Sequence, residues 1–180
     1  MIEMPEEIQG ERITLKRHKV ELAQTMYDYI DKDRERLSQF LPWPDFIKSV
    51  DDEVNFIKRC DESWEKALGF QFGIYNDQGT YMGNVGCFGR VPIEYVCEIG
   101  YWILGDFEGK GFMSEAVSTL QKKLFSLGVH RIQIRCSTEN SRSSNIPKSL
   151  GYHLDGVERE SVFASGRYHN LEIYSRLSTD

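Results

Sequence analysis

Apolar and polar residues alternate over residues 11–18 (ERITLKRH), with Ile13 and Leu15 on one side, which predicts a strand. The period then changes. Leu22, Met26, Tyr29 and Ile30 recur at helical spacing and predict a helix over about 21–30. Residues 33–46 begin helically and run into a loop punctuated by Pro42 and Pro44. Asp51 and Asp52 open a second helix, where their charges suit the positive end of the helix dipole. Val54, Ile57 and Trp64 form its apolar side, and Gly69 marks its end. Residues 69–75 and 80–90 read as a hairpin joined by NDQG at 76–79, a loop long enough to require a bulge. Residues 94–104 (EYVCEIGYWIL) form another strand. After a glycine-bearing loop, Val117, Leu120, Leu124 and Phe125 line a helix over about 114–127 that Gly128 stops. A strand over 129–136, a short helix within 140–152 and two antiparallel strands over 152–177, turning near 164–166, complete the chain.

The order is strand, helices, three strands, helix, strand, helix, two strands, with no repeat, low-complexity run or linker. It predicts one α/β domain over residues 1–180, long enough for a real core. Composition adds exclusions. A formal net charge of -6 speaks against a nucleic-acid partner, which would need a basic face. Cys60, Cys87, Cys97 and Cys136 form no Cys-x-x-Cys pair and no ligand cluster, so reduced thiols and no metal are expected. The acidic N-terminus has no apolar core, and no run is long enough to span a bilayer, so a cytoplasmic protein without a membrane partner is expected. Apolar C-terminal strands and exposed sheet edges are compatible with a homodimer.

The candidate chemistry starts at GDFEGKGFMSEA, residues 105–116, where a loop turns into a helix. A Walker loop needs Gly-x-x-x-x-Gly-Lys-Ser/Thr, but Gly105 and Gly109 are too close and Lys110 precedes Gly111. A Rossmann fingerprint fails as well, because the following strand ends RIQIRC without an acid. What remains is a run of unpaired N–H groups at a helix start, able to cradle a diphosphate, or a plain turn with glycines for conformation. Gly109 and Gly111 have no Cβ to obstruct such a ligand, and Lys110 adds positive charge.

The segments EIGYWILGDFEGKGFMSEA and NSRSSNIPKSLGY, with RERLSQFLPW (34–43) before them and GRYHNLEIYSRL (166–177) after, resemble the GNAT N-acetyltransferase superfamily, specifically its RimJ/RimL-like branch. The resemblance implies a GNAT acyl-CoA N-acyltransferase fold: a central mixed, mostly antiparallel twisted sheet flanked by helices. It implies acetyl-CoA as co-substrate, held by Gly109, Lys110, Gly111, Phe112, Met113 and Ser114. The backbone of Trp102, Ile103 and Leu104 would pair with the pantetheine arm, and Asn140 would hydrogen-bond it. The family loop usually begins with Arg or Gln; Glu108 departs from it by placing negative charge near the phosphates, and Met113 departs by bulk. Glu98, on one strand face with Val96 and Trp102, is the candidate base if it lies among apolar residues; the alternative is a rim glutamate paired with a nearby Lys or Arg. Many members carry a tyrosine for the leaving thiolate where this chain has Pro147, so Ser143 takes that role, against the alternative of a helix cap. Trp43 and Tyr168 are expected at the acceptor pocket, Phe46 in the core, and His18, His130, His153 and His169 in core or surface roles. The implied acceptor is a protein N-terminal α-amine, or a small amine such as a polyamine. An acyl-CoA-binding regulatory module without turnover, and a binder of another nucleotide, stand beside that reading.

Overall fold

In the computed structural model, residues 3–89 and 95–180 are described; Met1, Ile2 and the expected strand ends at Arg90 and Glu94 lie outside them. The strands are β1 (Glu7–Gln9), β2 (Ile13–Arg17), β3 (Gly69–Asn76), β4 (Tyr81–Phe88), β5 (Val96–Ile103), β6 (Arg131–Ser137), β7 (His153–Ala164) and β8 (Arg167–Leu177). The α-helices are α1 (Ala23–Lys32), α2 (Arg34–Ser38), α3 (Val50–Glu65), α4 (Phe112–Ser126) and α5 (Ser141–Ser149). The strands form an 8-stranded sheet in the order β1-β2-β3-β4-β5-β6-β8-β7. Described neighbours pair antiparallel except β5 and β6, which are parallel. A parallel pair needs a crossover, and α4 supplies it.

The amphipathic periods explain the layers. Ala116, Val117, Leu120 and Leu124 of α4 are fully buried against a cluster that includes Cys97, Ile99 and Ile103 of β5. Met26 and Ile30 of α1, Leu37 of α2 and Ile57 of α3 bury against Tyr81 and Trp102 in a second cluster. Odd and even positions of β5 therefore serve opposite faces of the sheet, as strand alternation requires. The expected bulge in the β3–β4 hairpin falls between Ile74 and Tyr75.

Several boundaries shift by a few residues, among them the end of α3 at Glu65 rather than Gly69, and two further differences from expectation stand out. β1 was not anticipated: its few residues carry little pattern, yet Ile8 pairs with Leu15 at the sheet edge. Helix α4 begins at Phe112 rather than 114, because Gly111 adopts φ 80° and starts the turn earlier than the apolar spacing indicates. Among the described residues no helix is long and apolar enough to cross a membrane.

The feature that positions the site is a split in the sheet. β5 and β6 pair only at Val96↔Arg131, Cys97↔Ile132 and Glu98↔Gln133. Beyond that point β5 continues along β4 to Ile103 and β6 along β8 to Ser137, so the two strands part.

Candidate active site

A cleft of about 1040 Å³ opens where β5 and β6 part. Its wall consists of Tyr101–Ile103 from β5, the loop into α4, the start of α5 and the segment from Arg36 to Leu41. Of the expected coenzyme-site residues, Trp102, Ile103, Gly109, Gly111, Phe112, Met113, Ser114, Asn140 and Ser143 line it; Leu104 and Lys110 do not.

The backbone edge of β5 is offset from expectation. The Leu104 N–H donates to the Met82 carbonyl at 2.9 Å. Antiparallel alternation then turns the main-chain groups of Trp102 toward β4 as well, and those of Tyr101 and Ile103 toward the cleft. The correction moves the available edge from Trp102 and Leu104 to Tyr101 and Ile103. The Ile103 carbonyl already accepts from Arg36 at 2.6 Å.

The loop into α4 has the geometry of an anion cradle. Gly109 and Gly111 take φ values of 73° and 80°, left-handed positions that favour glycine. The first bond of α4 runs from the Glu115 N–H to the Gly111 carbonyl at 3.0 Å, and no side chain caps the helix start. The amides of Phe112, Met113 and Ser114 thus have no partner within the helix, at the positive end of its dipole. The Met113 side chain is buried in the core cluster, so its bulk does not block the loop. Lys110 departs from expectation: its Nζ turns back to the Asp106 carbonyl at 2.9 Å and lies over the Phe107 ring. Nor does Glu108 leave a free negative charge. Its oxygens meet Arg36 at 2.6 Å and Arg142 at 2.8 Å. Arg36 is itself anchored by Asp33, with Nε to Oδ2 at 2.9 Å, and Asp33 also accepts the Gly105 N–H at 2.9 Å. Burial pushes the Asp33 carboxyl up, but the Arg36 and Gly105 bonds outweigh it and hold it below its ordinary value.

At the start of α5 the cap is Asn140, not Ser143: Asn140 Oδ1 accepts the Ser143 N–H at 3.2 Å, and its Nδ2 remains a donor for a ligand. The Ser143 hydroxyl donates to the Tyr101 phenol oxygen at 3.3 Å, and that phenol donates to the Ser143 carbonyl at 3.1 Å. Burial pushes the Tyr101 hydroxyl above its ordinary range. Sequence reasoning missed Tyr101. The available signals were its odd position between Ile99 and Ile103, facing α4 and α5, and Pro147 within α5.

Glu98 does not line the cleft, and its carboxylate is paired rather than isolated. Its carboxylate accepts from Arg135 Nε at 2.9 Å and from Gln133 at 3.2 Å, which is the rim-glutamate arrangement. The two acidic residues on the cleft wall are paired as well: Glu108 as above, and Glu139 with Arg167 at 2.9 Å. Trp43 packs on Trp102 at 5.9 Å between ring centres and stays outside the wall. Tyr168 is 62 % exposed and packs on Phe163, away from the cleft. Its neighbour His169 turns inward instead, edge-on to Phe40, which does line the cleft. Phe46 is 76 % exposed, which corrects its expected core position. His18 and His169 are buried, and His130 and His153 are exposed. Among the described residues no cluster of His, Cys, Asp and Glu has the makings of a metal site.

Residues 12–153 match the family described as Acetyltransferase (GNAT) domain. The chain is similar to the ribosomal-protein-serine acetyltransferase of Escherichia coli, 26% identical over 154 residues, covering 84% of this chain and 85% of that protein. Among solved structures it is similar to the ribosomal α-N-protein acetyltransferase RimL in complex with coenzyme A, with a TM-score of 0.92 at 22% identity over 97% of this chain and 100% of that one. It is also similar to the microcin C7 self-immunity acetyltransferase MccE in complex with acetyl-CoA and AMP, with a TM-score of 0.88 at 24% identity over 93% of each chain.

Proposed function

The chain belongs to the GNAT acetyltransferase family, and on that premise we propose that it transfers acetyl from acetyl-CoA to the N-terminal α-amine of a protein. The observation that carries this reading is the split between β5 and β6, with the unpaired amides of Phe112, Met113 and Ser114 at one end and the Tyr101–Ser143 pair beside it.

The roles follow from the geometry. The α4 amides receive a diphosphate, which their aligned dipoles favour. The cleft-facing main chain of Tyr101 and Ile103 offers an edge to which an extended amide-bearing arm adds like a strand. Their N–H groups are the donors available to a carbonyl lying along that edge, where fixed donors stabilise developing negative charge. The Ser143 hydroxyl and Asn140 Nδ2 face the same space from α5. The bound co-substrate supplies the activated acetyl group as a thioester.

The choice of acceptor rests on the paired carboxylates. Glu108 and Glu139 on the wall, and Glu98 behind it, each hold an arginine. No carboxylate on the described wall lies without a guanidinium partner, and on that ground we take the acceptor to arrive neutral. An α-amine ionises near 7.7–8.0 and a lysine-like amine near 10.4, which leaves the former neutral about 300-fold more often at pH 7. This favours an N-terminal amine over a polyamine. The name of the Escherichia coli relative agrees with a ribosomal-protein acceptor.

The test is acetyl-CoA with a panel of peptides and polyamines, read by thiol release and peptide mass. Peptides with a free α-amine should gain one acetyl group, and the same peptides blocked at the N-terminus should gain none even when they contain lysine. Thiol release with polyamines alone would overturn the proposed acceptor. Coenzyme binding without release to any acceptor would favour the regulatory module.

A further inference from the structure

We propose that Tyr101 is the positioning residue for Ser143, filling the gap that Pro147 leaves in α5; the catalytic part rests on the acetyltransferase reading above. In an α-helix the N–H of residue 147 would bond the carbonyl of residue 143. Proline has no N–H, so the Ser143 carbonyl has no helical donor, and Pro147 stands within α5. A carbonyl left so at a half-buried position must find another donor or remain unsatisfied. The Tyr101 hydroxyl supplies that donor from β5, at 3.1 Å. The same phenol oxygen accepts the Ser143 hydroxyl at 3.3 Å, and the Ser143 N–H is bound by Asn140 at 3.2 Å. Each polar group of Ser143 is therefore fixed, two of them by Tyr101.

This arrangement has a functional consequence. β5 presents the main chain of Tyr101 and Ile103 to the cleft, while the Tyr101 ring reaches across to α5. One residue thus ties the edge that holds the reacting carbonyl to the helix that carries the serine. Burial keeps the phenol protonated, so Tyr101 acts by orientation and loses no proton in the reaction. As the C–N bond forms and the C–S bond breaks, the Ser143 hydroxyl turns from the phenol oxygen to hydrogen-bond the leaving sulfur, which takes up the proton that the amine nitrogen loses, so the serine itself ends unchanged while its carbonyl stays anchored. The chain so replaces a donor on α5 with a serine held from β5.

Kinetics and stability test the proposal separately. Tyr101→Phe keeps the ring and removes both bonds. It should lower kcat about tenfold, the order expected for loss of orientation, with the KM for acetyl-CoA unchanged. Combined with Ser143→Ala it should add no further loss, because Tyr101 acts only through Ser143. Losses that multiply, or a Tyr101→Phe enzyme as fast as the parent, would overturn the positioning role. The second measurement needs no activity. In a thermal-melt cycle, Tyr101→Phe should lower Tm in the native chain and clearly less in the Pro147→Ala background, where the helix can bond the Ser143 carbonyl itself. Equal shifts in both backgrounds would overturn the structural basis. A parent chain that transfers acetyl to no acceptor would overturn the catalytic part alone, and the melts would show whether the Pro147 coupling survives it.

Discussion

Arg36 Nη1 lies 2.6 Å from Glu108 Oε1, and this contact ties α2 to the loop that opens α4. Arg142 meets the other oxygen from α5, so one carboxylate holds two guanidiniums at the cleft mouth. Where the family loop usually begins with Arg or Gln, this chain has a glutamate that gathers arginines from either side.

Glu108→Gln should release Arg142 beside the unpaired α4 amides, while Arg36 stays held by Asp33 and the Ile103 carbonyl. Arg142 is 77% exposed, so its pair with Glu108 is weak and easily exchanged for a phosphate. Coenzyme A should bind the variant about fivefold more tightly at low salt, from roughly 1 kcal/mol of recovered attraction. The gain should fade as salt screens it. Calorimetric titrations at low and high ionic strength give both numbers; weaker binding at low salt would show that Glu108 orders the site instead.

Gly111→Ala probes the cradle differently. At φ 80° a Cβ is strained, and it would meet only the flexible tip of Arg12 at 3.3 Å. The left-handed conformation should cost about 1–2 kcal/mol. That cost is avoided if the loop rearranges, which displaces the α4 amides. Either lower denaturation midpoints or weaker coenzyme binding should follow. A variant unchanged in both would mean that the loop conformation is not needed.

Much of this site was legible because its signals are local. Glycines at 109 and 111, the helix after them and the motif order on either side lie within short stretches of chain. What escaped depends on pairing across the fold. Arg36 and Glu108 are 72 positions apart, and nothing in either segment announces the other. Tyr101 looked like one more strand residue until Pro147 left a carbonyl without a donor. Tyr168, expected at the pocket, faces outward and His169 inward, a parity in β8 that sequence spacing does not fix because the β7–β8 register shifts between Leu154 and Gly156 and again between Glu158 and Val162. The expectation for Glu98 identified its strand face correctly, since it alternates with Trp102, but Arg135 comes from the neighbouring strand.

The paired carboxylates predict a pH profile set by the acceptor. If the acceptor arrives neutral, kcat/KM for a peptide α-amine should rise with pH and level near about 8, and for a lysine-like amine near about 10. Glu98→Gln should keep kcat within about twofold of the parent, the scatter of a surface ion pair lost. Profiles for the two acceptor types, measured with parent and variant, decide it. A common plateau for both acceptors would reveal an enzyme group taking the proton, and its loss in Glu98→Gln would identify that group as Glu98.

Stability should depend on pH through two buried groups with opposite signs. His18 is 4% exposed with neither ring nitrogen partnered, and burial pushes it down to about 4 from 6.5 despite the opposing charge of Asp61. Its folded pKa is depressed, so the stability linked to its neutral form is complete above pH 6.5 and is lost as pH falls toward 4. Glu53 is 2% exposed, and burial pushes it up to about 7 from 4.5, with Arg59 opposing and Asp52 adding. Its folded pKa is raised, so the stability linked to its protonated form is complete below pH 4.5 and is lost as pH rises through 7. Each shift corresponds to about 3 kcal/mol at most. Between pH 4.5 and 6.5 the two slopes oppose and largely offset each other. Glu53→Gln removes one slope. The variant should gain stability at pH 8, where the parent holds a buried carboxylate, and should lose stability on acidification as His18 in the unfolded chain takes up its proton. Urea midpoints at pH 8, 6 and 4.5 measure the slope directly; a variant that follows the parent at all three would mean that burial does not shift Glu53 between the unfolded and the folded chain.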